Sequence, residues 1–289
     1  MSSKVVGLLH PGNMGATLGA AAVKGGARVL WASERRSQAS RRRAEAAGLD
    51  EVPTLAELVS ASEIVLSVCP PHAAPEVCRR VLAQGLRGVY VDANAVSPET
   101  AARMAKDVMR SGARFVDGGI IGPPVARAGS TRLYLSGAEA GEVARLFRGS
   151  KLDARVIGGE PGAASALKMA YAAWTKCSDA LLLAIRTLAS RYGVAASLLD
   201  EWELSQPGLS DRSVRAAEAT APKAWRYAGE MREIAATFEA AGLPRGFHAA
   251  ACALFERLEV FKDRRNPPPT LAEVVEVLSA CGATKTNGK

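Results

Sequence analysis

Between Ala163 and Arg191 the chain runs 29 residues without a single Gly or Pro. At ~1.5 Å of rise per residue this segment predicts a helix of roughly 40 Å, long enough to cross a domain. Leu167, Tyr171, Trp174, Leu181, Ile185 and Leu188 recur at helical spacings and predict an apolar stripe against a core. Lys168, Ala172, Thr175 and Asp179 follow the same spacing on a neighbouring stripe, and the charges at Lys168, Lys176, Asp179 and Arg186 are too frequent for a membrane span. Before this segment the pattern alternates short apolar runs with helical ones. After it the pattern is helical throughout. The reading is therefore an α/β domain over residues 1–160 and an all-helical domain over 161–289 that begins with a long connecting helix.

The alternation starts at once. Val5 to Leu9 is an apolar run suited to a strand buried on both faces, Pro11-Gly12-Asn13-Met14-Gly15 is a glycine turn, a helix extends to about Lys24, and Ala27 to Ala32 is the next strand. Strand, glycine turn and helix in that order form a dinucleotide-binding unit, in which backbone N–H groups and the helix N-terminus receive a pyrophosphate. His10 stands where the first glycine of G-x-G-x-x-G belongs, either as a plain turn residue or as a cofactor contact. At the end of the second strand Ser33, Arg35, Arg36 and Ser37 outnumber Glu34, which favours NADP over NAD because a guanidinium pairs strongly with a phosphate.

Further strands are expected at Ile64 to Val68, Val89 to Val91, Arg114 to Val116, Arg132 to Leu135 and Ala154 to Ile157. Thr54 and Ser97-Pro98 open helices as N-cap and first-turn residues. The segment Asp117-Gly118-Gly119-Ile120-Ile121-Gly122-Pro123-Pro124 reads as a glycine-rich loop. The fold class is a Rossmann-type, doubly wound, mostly parallel sheet plus an all-α C-terminal domain, with ligands expected at the carboxyl ends of the strands, beside Cys69, Pro70, Asn94 and Gly122. In the helical half, helices are expected over Ala195 to Leu204, from Ser210, over Pro222 to Ala240 with Arg226 and Glu230 at ion-pairing spacing, over Phe247 to Lys262, and from Thr270 to about Ala280, before a frayed end.

Composition removes several classes. No apolar run of 18 residues occurs, and Met1 to Lys4 leads into a strand without a secretory pattern, so the expected location is the cytoplasm. The five cysteines, Cys69, Cys78, Cys177, Cys252 and Cys281, include no C-x-x-C pair, and His72 and His248 have no neighbouring ligands, so neither a disulfide framework nor a metal site is expected. The net charge is +8, with Arg35, Arg36, Arg41, Arg42 and Arg43 clustered, but aromatics are only 5% and none interleaves with the cluster. A solvated helix face fits this better than a nucleic-acid surface.

With these segments in place the chain resembles the β-hydroxyacid dehydrogenase superfamily, which includes 3-hydroxyisobutyrate and 6-phosphogluconate dehydrogenases. Gly12, Asn13, Met14 and Gly15 match its cofactor signature, Val91 to Pro98 is similar to its Asp-x-Ser-Thr-x-x-Pro segment with Asn94 in the place of the Ser, and Gly162-x5-Lys168 resembles its glycine-then-lysine motif. Trp225-Arg226-Tyr227 and Glu230-Met231 are closer to a bacterial phosphogluconate-dehydrogenase-like subgroup. The resemblance implies hydride exchange between a nicotinamide cofactor and a hydroxy or keto substrate. It makes Lys168 the general acid/base, tuned by partial burial and a cationic nicotinamide, with Asn94 either orienting the substrate or capping its loop. It also implies a homodimer formed through the helical domain. Two departures bear on the substrate. Ile121 stands for the Ser of a loop that holds the substrate carboxylate, beside Gly122, and Ala172 stands for a substrate-binding Asn. Both point to a less polar or differently anchored substrate. Two other readings remain open: an imine reductase on the same scaffold, and a cofactor-binding protein without catalysis.

Overall fold

The computed structural model describes residues 3–280; Cys281 and the expected frayed end lie outside the described residues. The chain divides into two compact units, one ending at Met169 and the other starting at Ala170. The first contains β1 (Val5–Leu8), α1 (Asn13–Lys24), β2 (Arg28–Ala32), α2 (Gln38–Ala46), β3 (Asp50–Val52), α3 (Leu55–Ala61), β4 (Ile64–Ser67), α4 (Ala74–Leu82), β5 (Val89–Asp92), α5 (Pro98–Arg110), β6 (Arg114–Ile121), β7 (Arg132–Ser136), α6 (Ala140–Arg145), β8 (Asp153–Val156) and the start of α7 (Ala163–Arg191).

The strands form one sheet in the order β3-β2-β1-β4-β5-β6-β7-β8, parallel at every junction except the antiparallel β6–β7 pair. The order reverses between β1 and β4, the switch point at whose carboxyl edge such sheets bind ligands. Side chains alternate across the sheet, so that Val6, Leu8, Val29 and Trp31 pack with Leu18 and Ala22 of α1 on one face. Leu9, Val65 and Tyr90 pack with Leu58 of α3 and Val81 of α4 on the other. Both faces are covered, and this is why the central strands read as unbroken apolar runs.

The N-caps follow their sequence signals: Thr54 accepts from the Glu57 N–H and Ser97 from the Thr100 N–H, with Pro98 in the first turn. The expected glycine-rich loop is a strand. Asp117 to Ile121 continue β6 and pair residue by residue with β7, so the turn begins only at Gly122. The short β3, Asp50-Glu51-Val52, is an addition at the sheet edge.

The second unit contains the rest of α7, then α8 (Ala195–Ser205), α9 (Leu209–Thr220), α10 (Ala224–Ala240), α11 (Gly246–Arg257) and α12 (Leu271–Ala280). Here α7 departs from expectation. Of the stripe predicted to face a core, Leu167, Tyr171, Trp174, Leu181 and Leu188 are exposed and Ile185 is half-buried. The buried side is formed by Ala164, Met169, Ala172, Ala173, Ala180, Leu182, Leu183 and Ala189, because small residues allow close helix packing while adding little to the apolar pattern. Glu230 is buried and paired both with Lys176 and, at 4.0 Å, with Arg226. Asp179 accepts instead from Thr220 Oγ1 at 2.8 Å.

Candidate active site

At the switch point the chain leaves β1 through Leu9, whose N–H bonds the Leu66 carbonyl, and turns at His10-Pro11-Gly12 into α1. The turn is tight: the Gly12 N–H bonds the His10 carbonyl at 2.8 Å, and a Cβ on Gly15 would stand 2.1 Å from that same oxygen. Gly12 is the N-cap of α1, no side chain caps the helix, and its first turn holds no acid. The positive end of α1 is therefore open to an anion. The Pro11 carbonyl is held from outside by Arg43 Nε of α2 at 3.0 Å.

Beside this turn lies a cleft between β1, β2 and α4, lined by His10, Glu34, Arg36, Leu55, Val77 and Arg80. Burial and the neighbouring Arg36 and Arg80 push the His10 imidazole down to about 4, and its buried Nδ1 has no hydrogen-bond partner among the described residues. Burial and Arg80 also lower the Arg36 guanidinium. The other predicted cofactor residues at this edge are arranged differently. Arg35 points into solvent and pairs loosely with Glu34 at 3.7 Å, Ser37 is the N-cap of α2, and the Ser33 hydroxyl bonds Glu51. Arg41 pairs with Glu51 and lies over the Trp31 ring, so part of the basic cluster braces the sheet edge. Arg80, contributed by α4, is the residue that the sequence reading missed. It lies 44 positions beyond Arg36, and only the fold brings the two together.

On the other side of the switch point, Asn94 is almost fully buried at the end of β5. Its amide donates to Asp92 Oδ1 at 2.5 Å and Ser67 Oγ at 3.1 Å, and its oxygen accepts from the Cys69 N–H. Both amide hydrogens are thus used in tying β4 to β5, which favours the capping role over the substrate-orienting one. Burial and Asp92 raise the Cys69 thiol to about 12, so it is a neutral wall residue next to Pro70.

Lys168 is positioned by a buried anchor. The Asp117 carboxylate on β6 accepts from the Gly162 and Ser165 N–H groups, both at 2.9 Å, and from Ser165 Oγ at 2.6 Å. Ser136 Oγ adds a bond to the same carboxylate and accepts from the Ala164 N–H. These contacts satisfy the N-terminus of α7. One turn on, the helix crosses Gly119 so closely that a Cβ there would stand 2.6 Å from the Ala164 carbonyl and 3.1 Å from Lys168 Cβ. Lys168 therefore lies over β6, three strands from β1, or roughly 14 Å across the sheet. Ile121 is buried at the end of β6, and Gly122, at φ +122°, makes room for the Ser130 carbonyl. Ala172 is buried on α7 in the second unit. Among the described residues no group of His, Cys, Asp and Glu could hold a metal ion, and no helix is long and apolar enough to cross a membrane.

Residues 5–148 match the NAD binding domain of 6-phosphogluconate dehydrogenase, and residues 189–258 match a Domain of unknown function (DUF1932). The chain belongs to the β-hydroxyacid dehydrogenase-like superfamily. Within this superfamily it is 27% identical to a conserved protein of unknown function described as structurally similar to 3-hydroxyacid dehydrogenases, covering 89% of this chain and 97% of that one with a TM-score of 0.67. A Mycobacterium tuberculosis 3-hydroxyisobutyrate dehydrogenase shares the fold at 18% identity and a TM-score of 0.70, over 96% and 99% of the two chains. So does a Streptomyces aurantiacus imine reductase, at 18% and 0.53, over 95% and 99%. An uncharacterised 28.5 kDa protein of Methanothermus fervidus is 30% identical over 165 residues, which span 57% of this chain and 63% of that protein. The match over residues 5–148 makes the first unit a nicotinamide-dinucleotide-binding domain.

Proposed function

We propose that the chain is an NADP-dependent oxidoreductase that exchanges hydride with a hydroxy or keto substrate, with Lys168 as general acid/base. The observation that carries this reading is the placement of Lys168. A helix start buried on Asp117 holds it over the carboxyl half of β6, in the same unit as the open N-terminus of α1. The fit of the cofactor rests on that uncapped helix and on a cleft with two guanidiniums and a buried imidazole nitrogen. Gly12, Asn13, Met14 and Gly15 would receive the pyrophosphate at the helix end. Arg36, with Ser33, Arg35 and Ser37 at the rim, would take the adenosine side, and Pro11, Cys69 and Pro70 would form the wall. When bound, the nicotinamide supplies the hydride acceptor or donor.

Lys168 takes the hydroxyl proton as the alcohol is oxidised and returns it in reduction. Asn94 holds the ends of β4 and β5 in register beneath the substrate, while Ile121 and Gly122 form an apolar rim. That rim suits a substrate carrying little polar surface beyond its reacting oxygen. The same apolar character supports a second reading, an imine reductase.

A steady-state screen with NADPH and NADH against hydroxy acids, keto compounds and cyclic imines separates the two. Turnover of a hydroxy or keto compound that falls by about 10²-fold or more in Lys168→Ala, with NADPH binding retained, is expected. Turnover confined to imines would favour the second reading. Undiminished activity of Lys168→Ala would remove Lys168 from the chemistry, and a protein that binds NADPH yet turns over nothing would be a cofactor-binding module. A cytoplasmic homodimer, formed through the exposed aromatic and leucine side chains of α7, completes the proposal.

A further inference from the structure

Three nitrogen-bearing side chains converge in the cleft beside α1 without partners for their polar atoms. The guanidiniums of Arg36 and Arg80 make no ion pair or hydrogen bond among the described residues, and the buried Nδ1 of His10 has none either. Among the described residues the one acid lining the cleft is Glu34, whose carboxylate lies 3.7 Å from Arg35 and attracts Arg36 without forming an ion pair with it. The other elements bordering the cleft add no charge to balance the guanidiniums: α3 contributes Leu55, and α4 contributes Val77 and Val81 beside Arg80. Cys69, at the end of β4, is a neutral thiol. Two like charges held together in a partly buried cleft cost free energy unless an anion joins them, and a buried unpaired ring nitrogen adds to that cost.

We propose that His10 and Arg80 complete, together with Arg36, a seat for the ribose-bound 2′-phosphate of NADP(H), with the His10 ring donating to the phosphate. The inference rests on the oxidoreductase reading above and adds two residues to it. Arg36 comes from the loop after β2, where a phosphate-binding residue is expected. Arg80 comes from α4, and His10 occupies a position where a glycine would present no side chain at all. A phosphate dianion between the guanidiniums reverses the field at His10, so the ring gains a proton when the phosphate enters. AMP, which lacks a 2′-phosphate, leaves the ring neutral.

The test uses the full-length protein with adenosine 2′,5′-bisphosphate against AMP, and NADPH against NADH, by titration calorimetry at pH 6.5 in two buffers of different ionisation enthalpy. The wild type is expected to bind the bisphosphate at least about tenfold more tightly than AMP, with net proton uptake. Arg80→Met is expected to lose most of that preference while keeping its affinity for AMP, which also reports that the variant is folded; Arg80→Lys is expected to recover part of it. His10→Gln is expected to bind with less proton uptake than the wild type, a change that a purely structural role would not produce. If the wild type does not prefer the 2′-phosphate, the choice of NADP fails and this seat fails with it. If the preference and the proton uptake survive in both Arg80→Met and His10→Gln, the seat is overturned while Arg36 and the NADP reading stand.

Discussion

At the scale of single residues, His10 shows how one departure from a motif changes a site's physics. Its ring is neutral in the folded protein because burial and two guanidiniums hold it down to about 4, whereas an unfolded chain would titrate near 6.5. The unfolded state therefore binds the extra proton first as the pH falls. The contribution of His10 is fully present above about pH 6.5 and is lost progressively towards pH 4, on the order of 2 kcal/mol. Urea unfolding at pH 7.5 and pH 5 measures it, and His10→Gln should narrow the difference between the two. The turn between β1 and α1 was legible in sequence because an apolar run, two closely spaced glycines and a helical pattern follow one another there. Two things were not. The saturation of the Asn94 amide depends on Ser67 and Asp92, and Arg80 meets Arg36 only through the fold.

Among the elements, α7 carried the clearest sequence signal, since 29 residues without a breaker leave little alternative, and its bounds agree with the structure. Its surroundings were less legible. The glycines at 118 and 119 suggested a loop, yet they lie in β6 because a helix crosses the strand there, and a crossing partner 45 residues away leaves no local trace. The first unit accordingly runs to Met169 rather than stopping at residue 160, since the opening turns of α7 are bonded to β6. Short, polar β3 went unseen because an edge strand buries little. Two expectations follow. Asp117→Asn places an amide against N–H donors it cannot accept with both atoms, and should cost about 2–4 kcal/mol in chemical denaturation. Gly119→Ala should cost roughly 1–3 kcal/mol and, under the function proposed above, lower kcat through displacement of Lys168 with NADPH affinity little changed.

For the molecule as a whole, the inversion of the α7 stripe is the most consequential difference from the sequence expectation. Tyr171, Trp174, Leu181 and Leu188 of the second unit leave apolar surface in water, a pattern that marks association surfaces. If a second copy covers them, Trp174→Glu combined with Leu181→Glu should convert a dimer to a monomer in light scattering after size exclusion, and unchanged mass would exclude this face. The close approach at the start of α1 has a consequence for mutational tolerance. What meets Gly15 is the backbone carbonyl of His10, which every amino acid possesses. A library scored only for folding across the whole chain should therefore accept many residues at position 10 and almost none but glycine at position 15. The same library scored for use of the cofactor should narrow at position 10 as well, separating what the turn requires from what the cleft requires.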